Sequence, residues 1–247
     1  MFLTTRALVL REVKYKESDR MLTLLTEDSG KLTAKAQGAL RVQSKLSAGT
    51  QLLAFSDFTF FNSSGRWAVR EASPVELFPG MRSDIALLSL GGYIAELLEA
   101  VSDEDCPDPA VLQLGLNSLF ALSRELCPQR QIKAAFELRL MCLSGYEPEL
   151  SVCAGCGRRD VSEGALLAPH GELYCRDCMR PGMLPMGQGA LAAMRHIIFA
   201  EPKKLFSFSL DGPSLAELGE VCEGYALCQL DRPFGSLDYY KRITDTL

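Results

Sequence analysis

A chain of 247 residues that is 47% hydrophobic is too long for one small module and too apolar to be largely disordered. No apolar stretch approaches the roughly 20 residues of a membrane-spanning helix, and nine cysteines at irregular spacing argue against a disulfide framework. The net charge of −5 is unevenly spread: residues 1–80 hold 11 Lys/Arg against 8 Asp/Glu, the remainder 15 against 23, so a polyanion is expected at the N-terminal end.

The opening MFLTTRALVLREVKYK lacks the leading positive region and small-residue cleavage site of a signal peptide, and a cytosolic protein is expected. Residues 1–80 read as five strands, at 3–13, 20–26, 31–37, 52–61 and 66–77. Glu27-Asp28-Ser29-Gly30 turns the second into the third, and Asn62-Ser63-Ser64-Gly65 turns the fourth into the fifth. Five short strands fit a small closed barrel such as the OB-fold better than a sandwich, which needs about seven. After Pro79-Gly80 the period becomes helical. Helices are expected over 83–101, 110–126 and 129–144, with SDEDCPDP (102–109) as an acidic linker between the first two. In the third, Ile132, Phe136, Leu140 and Leu143 form the inner face, and Arg130, Lys133 and Glu137 the wet one. Further helices are expected at 187–199 and from Ser214, where Ser214 and Glu217 have capping-box spacing. The fold class expected is α+β and multidomain: an N-terminal OB-fold β-barrel (1–80), an α-helical domain (81–149 and 181–247) and an inserted four-cysteine zinc module (150–180).

The strongest local signal is Cys153-Ala-Gly-Cys156, eighteen residues, then Cys175-Arg-Asp-Cys178. Each C-x-x-C turn points two thiolates at one tetrahedral centre, so two turns close the coordination sphere and leave no position for substrate. One structural Zn2+ on Cys153, Cys156, Cys175 and Cys178 is expected, across a short hairpin with turns near Gly164 and His170-Gly171. A redox reading needs a C-x-x-C opening a helix in a βαβ unit, and no such unit is apparent. Cys106, Cys127, Cys142, Cys222 and Cys228 are expected to act as small hydrophobes, and His196 as a packing residue.

Basic residues on the third strand and the loop after it (Lys31, Lys35, Arg41, Lys45) and on the fifth strand (Arg66, Arg70) fall where a five-stranded barrel takes an oligonucleotide. Tyr15, Phe61 and Trp67 are the aromatic candidates for base stacking, although burial in the core is favoured for Trp67. No phosphate-binding loop, H-E-x-x-H or nucleophile elbow occurs, and no enzyme is expected. A nucleic-acid enzyme therefore ranks behind a DNA-binding protein without catalysis and behind a protein-binding adaptor with a structural zinc module and no direct DNA contact.

The run FELRLMCLSGYEPELSVCAGCG (136–157) closely resembles the junction between helical core and zinc module in the RecO family of bacterial recombination mediators, and DRMLTLLTEDSGKLTAKAQGAL (19–40) is similar to the start of that family's OB domain. The ending RPFGSLDYYKRI (232–243) matches the family's pattern only faintly. The resemblance covers essentially the whole chain. It implies a non-enzymatic DNA-repair protein that binds single- and double-stranded DNA and anneals complementary strands. It further implies association with RecR and with the acidic C-terminal tail of single-stranded DNA-binding protein, helping recombinase load on gapped DNA. A cytoplasmic, nucleoid-associated place and no membrane contact go with it. By position, Lys31, Lys35, Arg41 and Lys45 match the family's basic strand and loop, and Lys133 and Arg139 flank the helix matching the protein-tail site.

Overall fold

In a computed structural model, which describes residues 1–245, the first 76 residues alternate between two environments along each strand. β1 (Phe2–Tyr15), β2 (Asp19–Thr26), β3 (Gly30–Ala36), β4 (Phe55–Ser63) and β5 (Arg66–Glu76) close into a barrel in the order β1-β2-β3-β5-β4. All neighbours are antiparallel except β3 and β5, which meet in parallel through Ala34↔Trp67 and Lys35↔Ala68. This is the OB-fold topology. The inward side chains are Ala7 and Val9, Leu22 and Leu24, Leu32, Ala34 and Ala36, Phe58 and Phe60, and Val69 and Ala72. Two phenylalanines stacked at 5.2 Å fill the interior, and the alanines leave them room. Leu8 and Leu10, on the outer side of β1, are also buried, where the first helix packs against the strand.

The strands differ from expectation at two ends. β1 continues to Tyr15. β4 starts at Phe55 rather than 52, because Leu53 takes a left-handed conformation (φ 63°) while its N–H donates to the Val9 carbonyl at 2.9 Å. In the β2–β3 turn, Gly30 has φ +65°, and a Cβ there would stand 2.6 Å from the Asp103 carbonyl. The acidic linker thus lies against this turn, and the Lys31 N–H donates to Asp103 O at 2.8 Å.

The described residues form two compact units, 1–124 with 234–245, and 125–233. The helices expected as one domain are divided between them. α1 (Ile85–Val101) and α2 (Pro109–Ser123) belong to the barrel unit, each capped by an aspartate: Asp84 accepts from the Ala86 and Leu87 N–H groups, Asp108 from those of Ala110 and Val111. α6 (Gly235–Thr244), a helix not anticipated from the sequence, joins them. Phe234 sets its ring edge-on to Tyr93 at 5.9 Å, and the Ser236 N–H and hydroxyl both donate to Glu96. These contacts draw the C-terminal segment back to α1.

The second unit contains α3 (Gln129–Leu143), the cysteine module, α4 (Gln188–Phe199) and α5 (Gly212–Leu230). α5 opens two residues before Ser214, with Asp211 accepting from the Ser214 N–H at 2.8 Å. Glu217 closes no capping box; it accepts from the Gly187 N–H at 2.8 Å.

α3 has no wet face along its middle. Gln131, Lys133 and Glu137 are buried together with its apolar residues, because α4 and α5 both pack on this helix. Gln131 donates to the carbonyls of Phe206 and Phe208. The Lys133 ammonium donates to Glu137 at 2.7 Å and to Glu223 at 2.8 Å. Burial works against its charge, but the two carboxylates outweigh burial and hold its pKa above the ordinary lysine value. Replacing Lys133 by Met removes the nearest cation from a fully buried Glu137, and a loss of about 3–5 kcal/mol is expected. Denaturant unfolding checks this; a midpoint equal to the parent's rejects it.

Candidate metal centre and nucleic-acid interface

The cysteine module is a sheet of three short strands, β6 (Gly164–Leu167), β7 (Glu172–Cys175) and β8 (Leu184–Met186), in the order β7-β6-β8. β7 ends on Cys175, so the strand itself delivers the second cysteine pair. Past it the chain turns, with the Cys178 and Met179 N–H groups both donating to Cys175 O at 2.9 Å. The first pair sits on a similar turn: the Gly157 N–H donates to Cys153 O at 2.8 Å, and Gly157 supplies the required φ of +76°. The Ala154 N–H donates to Leu173 O, anchoring this turn to β7, and Arg158 reaches Asp177 at 3.0 Å across the two turns.

The four sulfurs lie within 4.8 Å of one another, and no other grouping of three or more such ligands occurs among the described residues. Cys156 Sγ and Cys175 Sγ are 3.8 Å apart. A tetrahedron of sulfurs at about 2.3 Å from a central ion has edges of about 3.8 Å. Gly155 forms part of the cradle, since a Cβ there would stand 2.9 Å from Cys178 Cβ. Burial opposes charge on Cys153, but the N–H groups of Cys175, Cys156 and Gly155 turn toward its sulfur and bring it down to about 6. Hydrogen bonds to the sulfurs of Cys175 and Cys156 hold the Cys178 proton, up to about 12. The set can hold a metal ion, and with four protein ligands it is closed to substrate.

The remaining cysteines are scattered. Cys222 is buried, and burial raises Cys127 to about 11 and Cys142 to about 12, as suits protonated packing thiols. Cys106 and Cys228 are exposed instead. His196 packs as expected, its ring 5.5 Å from Phe208 and its Nε2 3.0 Å from Lys204 O.

On the barrel, the basic candidates separate into two groups and one outlier. Lys31 is the outlier: its ammonium donates to the Glu99 carbonyl at 3.1 Å. Lys35, Arg41 and Lys45 lie with β3 and the loop after it, near the β1–β2 turn. Lys35 is 5.5 Å from the centroid of the exposed Tyr15 ring, and Lys16 is 5.6 Å from it. The loop is tied to this turn by the Leu40 N–H donating to Ser18 O and the Gly38 N–H donating to Asp19 at 2.7 Å. Farther along, Arg20 donates to Ser47 O and the Thr50 hydroxyl. Arg41 and Lys45 are exposed on it. Arg66 and Arg70 are exposed on β5, with Arg70 5.0 Å above the Phe61 ring. Trp67 is half-buried against the barrel core, edge-on to Phe60 at 6.4 Å.

Sequence reasoning missed Lys16 and Asp19. Asp19 is the pin of the first group, buried beneath Lys35 at 2.8 Å. The hydrogen bond from Lys35, then that from the Gly38 N–H, holds its carboxyl below the usual 3.8. A depressed carboxyl contributes stability above its unfolded pKa and loses it as pH falls through the folded value. Asp19→Asn is therefore expected to lower the melting temperature more at pH 7 than at pH 3. Equal loss at both pH values in thermal melts rules out the carboxylate as the source.

Lys133 and Arg139, expected beside a partner's acidic tail, are not a pair of surface cations. Lys133 is the buried partner of Glu137 and Glu223, so it offers no cation to a peptide, and Arg139 is half-buried and donates to Ala200 O. The helix pattern could not reveal this, since a lysine at that spacing is usually solvated.

A closed OB barrel, helices and a four-thiol cluster define a mixed α+β protein of the OB class with a four-cysteine module that could hold a metal ion. Family comparison agrees with that architecture. The family described as Recombination protein O N terminal matches residues 1–78, and Recombination protein O C terminal matches residues 82–238. A protein named DNA repair protein RecO from Acetivibrio thermocellus is 33% identical over 244 residues, covering 98% of this chain and 97% of its own. One of the same name from Alkaliphilus metalliredigens is 32% identical over 246 residues (98% and 100%), and one from Heliobacterium modesticaldum 35% over 217 residues (85% and 78%). The chain belongs to the RecO family of DNA repair proteins. No helix among the described residues is long and apolar enough to cross a membrane.

Proposed function

We propose that this protein is a non-enzymatic recombination mediator that binds and anneals single-stranded DNA and, with RecR, helps load recombinase on gapped DNA. The observation carrying the reading is the exposed Tyr15 ring with the Lys35 and Lys16 ammoniums 5.5 and 5.6 Å from its centroid, beside a loop that presents Arg41 and Lys45. Single-strand sites combine such parts: aromatic faces stack on bases while cations follow the phosphates. Membership of a DNA repair family supports it. Double-stranded DNA, RecR and the acidic tail of single-stranded DNA-binding protein are the other partners, in a cytoplasmic, nucleoid-associated setting. For the tail, Arg139 is the cation that remains of the two expected.

The metal we assign to Cys153, Cys156, Cys175 and Cys178 is zinc, because four thiolates in tetrahedral spacing suit it. Its contribution is to folding of the module. Elemental analysis of the purified protein is expected to find one zinc per chain, lost in Cys175→Ser together with thermal stability. A variant that keeps its zinc and melts like the parent rejects the assignment.

DNA binding is tested by fluorescence anisotropy of a labelled single-stranded oligonucleotide across a salt series. Affinity is expected to fall steeply with salt. K35E/R41E is expected to weaken it by about tenfold or more and to reduce the salt slope by about two. Affinity unchanged in that double variant removes this surface from the DNA-contact reading.

A further inference from the structure

We propose that Cys156 is a site of oxidation by peroxide, and that its oxidation releases the metal and loosens the hold of the cysteine module on α5. The proposal rests on the zinc assignment above and extends it. The four sulfurs differ in access. Cys153 and Cys175 are buried, at 1% and 2% exposure, and Cys178 is half-buried, whereas Cys156 is exposed. A second sulfur, that of Cys175, stands 3.8 Å from Cys156 Sγ. An oxidant arriving from solvent therefore meets Cys156 first, with a thiolate behind it that can complete a disulfide. Cys106 and Cys228 are also exposed, but neither belongs to the sulfur cluster.

The chemistry balances with hydrogen peroxide as the only oxidant. The Cys156 thiolate attacks one peroxide oxygen; the O–O bond breaks, an S–O bond forms, and the departing hydroxide takes a proton to become water. The Cys175 thiolate then attacks the sulfur of this sulfenic acid. An S–S bond replaces the S–O bond, and the second hydroxide leaves as water in the same way. Two thiolates have given up two electrons, and one peroxide with two protons has become two waters. Closing 3.8 Å to the about 2.05 Å of a disulfide asks for a small movement of two turn-borne side chains. Only half of the sulfur set then remains to hold the ion.

The oxidation reaches beyond the module because α5 is fastened to it. The Tyr225 hydroxyl donates to Tyr146 O at 2.9 Å and stands over the β6–β7 turn, where a Cβ on Gly171 would come within 2.8 Å of it. One helical turn on, Gln229 Nε2 donates to Ala168 O of the same β6–β7 turn at 2.6 Å. The segment after Tyr146 is bound to that hairpin too: the Glu149 N–H donates to Gly171 O at 2.8 Å, and the Leu173 N–H to Glu149 O at 3.3 Å. β7 begins next to Gly171 and ends on Cys175, a span of four residues. A displaced Cys175 therefore moves the strand whose other end Tyr225 and Gln229 hold.

The test takes the full-length, zinc-loaded protein, with C106S/C228S to silence the other exposed thiols. Hydrogen peroxide is expected to release the zinc, read with a chromogenic chelator, with loss of two thiols per zinc and a Cys156–Cys175 disulfide in non-reducing peptide maps. Amide hydrogen exchange over 222–230 is expected to rise about tenfold or more as zinc leaves, and dithiothreitol with added zinc to reverse it. Y225F/Q229A keeps the buried ring and removes the two polar ties. It is expected to retain zinc, to exchange faster over 222–230 before any peroxide, and to gain little after it. Zinc lost without a disulfide at Cys156, or oxidation of the cluster that leaves zinc in place, overturns the site. Zinc release with unchanged exchange in α5 overturns the coupling. If the untreated protein holds no zinc, the zinc assignment falls and this proposal with it.

Discussion

Closure of a very small barrel is the constraint on which the N-terminal unit depends. Five strands enclose a space that two stacked phenylalanines nearly fill, so the other inward positions are held by alanine, valine and leucine. Because side chains alternate along a strand, assigning Phe58 and Phe60 to the interior forces Phe61 outward, and assigning Ala34 and Ala36 inward turns Lys35 to the surface. The parallel joint between β3 and β5 then fixes where Lys35 and the β5 arginines stand around the wall. The surface chemistry follows from how the interior is filled.

Electrostatics sort the surface further. A lysine contributes to a polyanion site only if its charge is not already satisfied within the protein. Lys31 is tied to the Glu99 carbonyl and Lys133 to two carboxylates, and neither is an open cation. Lys35 is intermediate. Its ion pair with Asp19 holds it beside Tyr15, which trades some of its attraction for phosphate against a fixed position. Arg41, Lys45, Arg66 and Arg70 project into water and form no such pairs. The acidic overall charge is therefore compatible with a locally basic barrel.

The cysteine module has a different source of order. Its strands are three or four residues long, and few apolar side chains support them. Backbone hydrogen bonds shape the two turns and bring four sulfurs within 4.8 Å of one another even though each turn is short. A bound ion would repay this arrangement by linking β7 to the turn around Cys153, and this is how a segment with a thin core is held in place.

The strand and helix periods, the two C-x-x-C pairs and the β-turns of the barrel were legible in the sequence, because each is encoded by residues near one another in the chain. So were the four cysteines that cluster, and the resemblance that pointed to the family. Local spacing could not show α6, whose place depends on Phe234 meeting Tyr93, or that Glu217 serves the distant Gly187 N–H instead of a capping box. Nor could it separate the wet lysines from the buried one. Lys133 looked solvated because its neighbours in sequence fit an amphipathic helix, and the carboxylate of Glu223 comes from α5, far along the chain. The sequence by itself thus determined most of the elements, the four-cysteine cluster and the family. Only the tertiary structure decided which charges remain free to meet a partner, because desolvation and ion pairing are set by groups that the fold brings together from distant positions.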